Sequence, residues 1–380
     1  MIKKNKFFVH AWQLNGFARL NIKFIRKLEA RIKNKPIKYL AKDIGISTFV
    51  LRTILRRGKR KRSCARIKNI FTFIDFLGLQ RDEVERNIEH FKLSSSVEWE
   101  NAKIKFPLEV NPLWFRCVGV GDFSVGYNKW RYYVIWHQNS TKPMRDLIDN
   151  LVGISPYFWL GGYSEKNERL LIPSIIVDAC CSILNISRKE ITTTKFIKAC
   201  LRLPKAYRIQ VLAQTIVDDG YCDKVHNRVS IHMKNKQLIQ YLHKLCQSLS
   251  YPSTIITRSM GRHKTSRFYD LILTVEGTFK FYNDLKQMMK IHGDFAGLWN
   301  KQDRLEEVVK KIDLKRLRRI EENREYRHQI LQLMKKGIIT TNELIDSLKI
   351  PRTKFFNLMY DLKKKGLVKS IRKGIYSLCR

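Results

Sequence analysis

LAQTIVDDG, residues Leu212 to Gly220, is an apolar stretch that closes on two acids and a glycine. A strand, a helix and a hairpin are expected after it. The same layout occurs once before. FRCVGVGDF (Phe115 to Phe123) leads into RYYVIWHQN (Arg131 to Asn139), as LAQTIVDDG leads into RVSIHMKNK (Arg228 to Lys236). Asp122 and Asp219 are 97 residues apart, and so are Arg131 and Arg228. An internal repeat of this length means two copies of one unit that pack against each other. Each copy is expected to carry an acid at the end of an apolar helix. Two such helices side by side would bring two carboxylates together, an arrangement suited to Mg²⁺ and phosphodiester chemistry.

Periodicity supports the repeat. In the second copy Val229, Ile231 and Met233 alternate with Arg228, Ser230, His232 and Lys234. In the first, Tyr132, Val134 and Trp136 alternate with Arg131, Tyr133, Ile135 and His137. One face of each strand is expected to cover the core and the other to meet the partner. A helix follows each time, through Met144, Leu147, Ile148 and Leu151, then Leu242, Leu245, Cys246 and Leu249. The hairpin YSEKNERLLI then matches GRHKTSRFYD, setting Lys166 against Lys264 and Arg169 against Arg267, 98 residues apart. The fold class expected is α+β, with the order αββαββα twice over residues 105–305 (copies 105–203 and 204–305). The two copies would form a curved antiparallel saddle wide enough for a DNA duplex.

The chain has 74 Lys and Arg against 34 Asp and Glu, a formal charge of +40. That excess suits a polyanion. It is spread along the chain: +17 over residues 1–95, +11 over 313–380 and +12 between them. No apolar run reaches the roughly 18 residues that a membrane span needs. No signal peptide is evident, so a cytoplasmic, nucleoid-associated protein is expected. The eight cysteines include no C-x-x-C pair and read as reduced thiols.

Both ends read as DNA-binding modules. In PIKYLAKDIGISTFVLRTILRR, residues 36–57, Ala41, Gly45, Leu51 and Ile54 carry helix-turn-helix spacing, with Ser47 placed as a cap. Thr48, Arg52 and Arg56 would point outward. RRGKRKR adds Arg57, Lys59, Arg60, Lys61 and Arg62 as phosphate contacts. This order resembles the repressor-type helix-turn-helix family and implies an all-α domain over residues 1–95. Residues 320–380 resemble the winged-helix family. Pro351 opens a helix whose outward candidates are Arg352, Lys354 and Asn357, and a hairpin follows Gly366.

The central repeat resembles the LAGLIDADG homing endonucleases in their monomeric two-repeat form. Leu212, Ala213, Ile216, Asp219 and Gly220 coincide with the motif letters. In the first copy Cys117 and Gly121 fill the small positions and Asp122 keeps the acid, but Phe123 replaces the last glycine. Gln214 and Asp218 stand where the family packs its helices through small residues. The resemblance implies Asp122 and Asp219 as metal ligands and Mg²⁺ as the cofactor. It implies double-stranded DNA as the partner, bound by a monomeric pseudo-dimer. The family's use of basic residues near the middle of the saddle makes Lys166 and Lys264 the candidate catalytic cations that would stabilise the pentacoordinate phosphate charge, with Arg169 and Arg267 behind them. Basic side chains expected to meet the duplex are Arg131, Arg228, His232, Lys234, Arg258, Arg262 and Arg267. Two activities are compatible with these residues: a site-specific Mg²⁺-dependent DNA endonuclease, and a non-catalytic DNA-binding regulator built on the same scaffold.

Overall fold

Proline, glycine and short alternating stretches decide where this chain leaves the expected pattern. The computed structural model describes residues 6–32, 35–57, 63–92, 105–128, 131–153, 169–260, 266–312, 314–337, 340–372 and 374–379. They form a mixed α/β protein of two units, Met1–Lys310 and Lys311–Arg380.

The first unit opens with strands β1 (Phe7–Val9) and β2 (Phe17–Leu20), then helices α1 (Ile22–Arg31), α2 (Ile37–Ile44) and α3 (Thr48–Ile54). Gly45 joins α2 to α3 in the left-handed region, φ 74°, where a residue without Cβ is unstrained. Ser47 Oγ accepts from Val50 N at 3.2 Å. Ala41, Leu51 and Ile54 are buried between the helices. Next come β3 (Ala65–Arg66), α4 (Ile67–Phe76), α5 (Arg81–Glu85), β4 (Ile88–Lys92) and β5 (Leu108–Val110). The expectation of an all-α region over residues 1–95 is therefore corrected. β3, β2 and β4 form an antiparallel sheet. Ala18, Leu20, Ala65 and Phe91 are its buried residues, with an alternation only four residues long in β2. β1 pairs with β5, Phe7 opposite Val110, so the chain's start is also built into the structure that follows.

The first copy contains β6 (Phe123–Asn128), β7 (Arg131–His137), α6 (Lys142–Val152), β8 (Arg169–Leu171), α7 (Ser174–Leu184) and α8 (Thr194–Cys200). The second runs α9 (Lys205–Asp219), β9 (Gly220–Asp223), β10 (Arg228–Met233), α10 (Lys236–Ser248), β11 (Ser253–Met260), β12 (Ser266–Leu273) and α11 (Val275–His292), followed by α12 (Gln302–Lys310). The second copy keeps the expected element order. Its sheet is β11-β12-β10-β9, and the described strands of the first form β6-β7-β8. Val229, Ile231 and Met233 are buried, as are Val134 and Trp136. Ser230 and Ile135, expected outward, are buried as well.

The first copy departs at its motif. Instead of an apolar helix, Pro112–Arg116 makes a 3₁₀ turn capped by Asn111, whose side chain accepts from Leu113 N at 2.9 Å. Residues 117–122 are irregular. Gly119 and Gly121 interrupt the run, and Gly121 takes φ +81°, which a right-handed helix excludes. Asp122 thus ends a turn, whereas Asp219 ends a helix of 15 residues.

The second unit consists of α13 (Leu314–Lys335), α14 (Thr341–Leu348), α15 (Arg352–Lys364), β13 (Val368–Arg372) and β14 (Ile375–Leu378). Phe355, Leu358, Met359 and Leu362 bury one face of α15 against Ile330, Met334 and Tyr376. The side chain of Thr340 and that of Glu343 cap α14 reciprocally.

One corner of the second copy is tight enough to test. A Cβ on Gly277 would lie 2.2 Å from the Pro252 carbonyl oxygen. Gly277→Ala is expected to destabilise the first unit by about 1–3 kcal/mol through overpacking. Thermal unfolding of the full chain measures this; an unchanged midpoint would contradict the packing described.

Candidate functional site

Helix α9 is buried on nearly every side, yet Gln210, Gln214 and Asp218 sit on it at four-residue spacing. Residues four apart share one helix face, so these three form a polar stripe inside apolar surroundings. The stripe meets Arg116, which is fully buried. Arg116 Nε donates to Gln214 Oε1 at 3.3 Å, and its Nη1 donates to Gln210 Oε1 at 3.4 Å, Ala296 O at 3.2 Å and Gly297 O at 2.6 Å. The Trp299 ring covers the guanidinium, 4.3 Å from Cζ to the ring centre. Gln214 Nε2 and Trp136 Nε1 both donate to Asp218 Oδ1, at 2.8 and 3.0 Å. The departures from small residues at positions 214 and 218 thus have a structural use. They exchange close helix packing for a buried hydrogen-bonded network that joins the two copies.

The two motif acids meet beyond this network. A Cβ on Gly121 would lie 2.7 Å from Asp219 Oδ2, 2.8 Å from Asp218 Cβ and 3.1 Å from Asp218 Oδ2. Only glycine lets the first motif approach the end of α9 so closely. Asp122, the next residue, then shares its surroundings with Asp219. Burial, followed by the charge of Asp122, pushes the Asp219 carboxyl up to about 6; Lys301 and His232 oppose this. Burial also raises Asp122, against the pull of Lys301, of a hydrogen bond from Gln138 and of His137. Asp218 is raised well above the carboxylate range, first by burial, with Asp122 and Asp219 adding to it. Burial lowers Arg116 to about 9, with Asp218 acting in the other direction.

Each acid also has a histidine across its hairpin. In the register of β6 with β7, Phe123 faces Trp136, so the next pair is Asp122 with His137, closed by His137 N donating to Asp122 O at 2.9 Å. In that of β9 with β10, Gly220 faces Ile231, so the next pair is Asp219 with His232. His137 Nε2 bonds Ser124 Oγ at 2.6 Å. His232 bonds Ser230 Oγ at 3.1 Å and, through Nδ1, the buried Asp270 at 2.7 Å. Sequence reasoning placed His232 among DNA contacts and gave His137, Gln138, Arg116 and Lys301 no role. The spacing Gln210, Gln214, Asp218 inside an apolar helix was the readable signal for the network. Lys301 lies some eighty residues from the motif and carries no such signal.

The other expected site residues are distributed as follows. Lys59, Arg60, Lys61, Arg62, Lys166, Arg262 and Lys264 lie outside the described residues. Arg52 is exposed on α3 beside exposed Phe49. Arg56 instead pairs with Glu89 at 3.0 Å, and Arg57 with Glu29 at 2.7 Å. Arg131 opens β7, and Arg169, at the start of β8, faces His137 across the register. Arg228 reaches Asp223 at 3.4 Å. Arg258 pairs with Asp270. Arg267 and Lys234 are exposed, Lys234 with its ammonium 5.4 Å from the Phe268 ring centre. In the second unit Arg352 is exposed, whereas Lys354 packs over the Tyr326 ring at 4.4 Å and lies 3.4 Å from Glu322. Among the described residues, the three metal-ligating side chains gathered within 4.8 Å are His10, Asp82 and Glu85. There Glu85 already accepts from Ala11 N at 2.5 Å and from His10 Nδ1 at 2.9 Å. No described helix is long and apolar enough to cross a membrane.

No protein-family model matches the chain, and no curated protein matches it. Among solved structures it is similar to mesophilic variants of the homing endonuclease I-DmoI, at 16% identity and TM-score 0.33, over 46% of this chain and 93% of that one. I-DmoI in complex with DNA and Mn gives 18% identity and TM-score 0.32, over 46% and 94%. Full-length DUF199/WhiA from Thermatoga maritima gives 11% and 0.31, over 67% and 90%. At these values the similarity assigns no activity.

The raised Asp219 carboxyl has a measurable consequence. Its pKa is about 6 in the fold, against an unfolded value near 3.9. A raised pKa gives stability that is present below the unfolded value and is lost as pH rises through the folded one. Asp219→Asn removes the charge that is penalised. The variant is expected to melt higher than the parent at pH 8 and at nearly the same temperature below pH 4, both without divalent metal. Melting curves at the two pH values check this; a variant less stable than the parent at pH 8 would contradict it.

Proposed function

We propose that this protein is a divalent-metal-dependent endonuclease acting on double-stranded DNA, with Asp122 and Asp219 holding the cation. The observation that carries the reading is the close approach at Gly121, which sets the two motif acids in one half-buried, mutually repelling pocket. Hard cations favour such carboxylate oxygens. The fit extends to the neighbouring Asp218, whose buried Oδ2 has no hydrogen-bond partner. When bound, Mg²⁺ would polarise the phosphate and activate water.

The chain's own residues divide the remaining work. Gln138 orients Asp122, and the Trp136–Gln214 pair fixes Asp218 beside the two motif acids. Tyr127, Tyr132, Tyr221 and Arg267 are exposed on the strands. These strand residues, with Lys234 just past the end of β10, supply aromatic and cationic contacts for a nucleic-acid backbone. Lys166 and Lys264 are assigned to stabilise developing phosphate charge. Residues 1–95 and 320–380 are assigned as accessory modules that extend the DNA contact, and the protein is assigned as a monomeric pseudo-dimer.

A second reading is a DNA-binding regulator without cleavage. The observation favouring it is the 3₁₀ turn that replaces the first motif helix.

A supercoiled-plasmid library incubated with and without Mg²⁺ separates the two. Cleavage is expected with Mg²⁺ only. Asp219→Asn and Asp122→Asn are expected to lose it by about two orders of magnitude or more, because each removes a metal oxygen. Both variants should keep DNA binding, with affinity falling steeply as salt rises, since many phosphate contacts release many counterions. Binding without cleavage by the parent protein would favour the regulator. Cleavage by Asp219→Asn at the parent rate would remove Asp219 from the site.

A further inference from the structure

The carbonyl oxygens at the end of α9 and on the first residue of β9 converge, Ile216 O already accepting from Gly220 N. Here one side chain gathers them. Lys301, at the end of a 3₁₀ turn that spans Trp299–Lys301, donates from Nζ to Ile216 O at 2.9 Å, Val217 O at 2.6 Å and Gly220 O at 2.8 Å. An ammonium has three hydrogens, so all are committed. The same charge acts on Asp218, Cys222, Asp122 and Asp219. A cation at a helix C-terminus is favourable, and this one also offsets three clustered acids.

The segment carrying Lys301 is tied to both copies. Ala296 and Gly297 accept from Arg116 of the first copy, and Trp299 stacks edge-on against Trp136, ring centres 5.8 Å apart. Lys301 itself holds the end of the second copy's motif helix. Residues 294–301 therefore form a strap across the meeting point of the two motifs.

We propose that Lys301 is a positioning residue for the acid pair: its ammonium fixes the carbonyls around Asp219 and supplies a countercharge within the site. This rests on the metal-holding role proposed for Asp219 and Asp122. Because its three hydrogens are taken, Lys301 does not reach substrate. Its two effects on the site oppose each other. The fixed charge repels an incoming dication and so weakens metal binding. The anchoring of the helix end keeps Asp219 in its working place and so speeds the reaction. A cap with only a structural role would move both quantities in the same direction.

The test uses the full chain and Mn²⁺ as the probe. Mn²⁺ affinity is measured at pH 8 by calorimetry without DNA, melting temperature alongside it, and kcat on a cleaved plasmid. The variants are Lys301→Met, which keeps length and loses charge, and Lys301→Arg, which keeps charge. Lys301→Met is expected to bind Mn²⁺ about three- to tenfold more tightly, as one nearby positive charge is removed. Its kcat is expected to fall about tenfold or more. Lys301→Arg should keep the parent's Mn²⁺ affinity and recover part of kcat. Asp219→Asn serves as the control for the underlying reading: if it binds Mn²⁺ as the parent does, the metal-holding role fails, whatever Lys301 does. If that control loses binding, the proposal for Lys301 is overturned by either of two results. One is a methionine variant with parent affinity and parent kcat. The other is a methionine variant in which affinity, kcat and melting temperature all fall together.

Discussion

The site depends on a close approach between two pieces of backbone of unequal form. Gly121, with φ +81° and no Cβ, lies against the carboxylates of Asp218 and Asp219. Any other residue there would meet atoms at under 3 Å and also pay for a left-handed backbone. Two acids brought this near repel each other, and burial removes the water that would screen them. The arrangement therefore requires positive charge and hydrogen-bond donors inside the protein. Arg116 below and Lys301 beside the helix end meet that requirement, each held on carbonyl oxygens rather than in a direct carboxylate pair. Removing either leaves acceptors unmatched in a buried setting, which is costly.

Much of this architecture was legible in the sequence. The 97-residue offset between Asp122 and Asp219 marked the repeat, and alternation through Val229, Ile231 and Met233 marked the core face of β10. The helix α9 and its terminal acid follow from the apolar run before Asp219. The spacing of Ala41, Gly45, Leu51 and Ile54 similarly marked the tight connection of α2 to α3. Three things were not legible, each for a physical reason. Strands β2 and β3 are four and two residues long, too short for periodicity to separate them from a loop. The 3₁₀ turn at Pro112–Arg116 has an apolar composition that suits a helix, and only the φ of Gly121 rules one out. Lys301 reaches the site through tertiary folding alone.

The basic excess divides in the same way. Charge counts could say that a polyanion suits this chain, but not which cations are committed to the fold. Arg56 and Arg57 pair with Glu89 and Glu29, and Lys354 lies over Tyr326. Such side chains stabilise their own unit, modestly where exposed. Arg52, Arg267, Lys234 and Arg352 are exposed. A partner's phosphates are more easily met by these than by cations held in internal pairs, so a DNA interface is better drawn from exposed side chains than from runs of Lys and Arg.

The two halves also differ in what stands behind the histidine that faces each acid. His137 pairs in register with Arg169, and burial, followed by that cation, holds its pKa below the usual histidine value. His232 pairs in register with Asp270, whose buried carboxylate bonds its Nδ1 and also meets Arg258. At equivalent strand positions the copies thus place opposite charges. The neutral imidazole is favoured in the first, while an anchored ring with a carboxylate behind it occupies the second. The repeat keeps an acid, a facing histidine and a serine bonded to that histidine in both copies, and the charge behind the histidine differs.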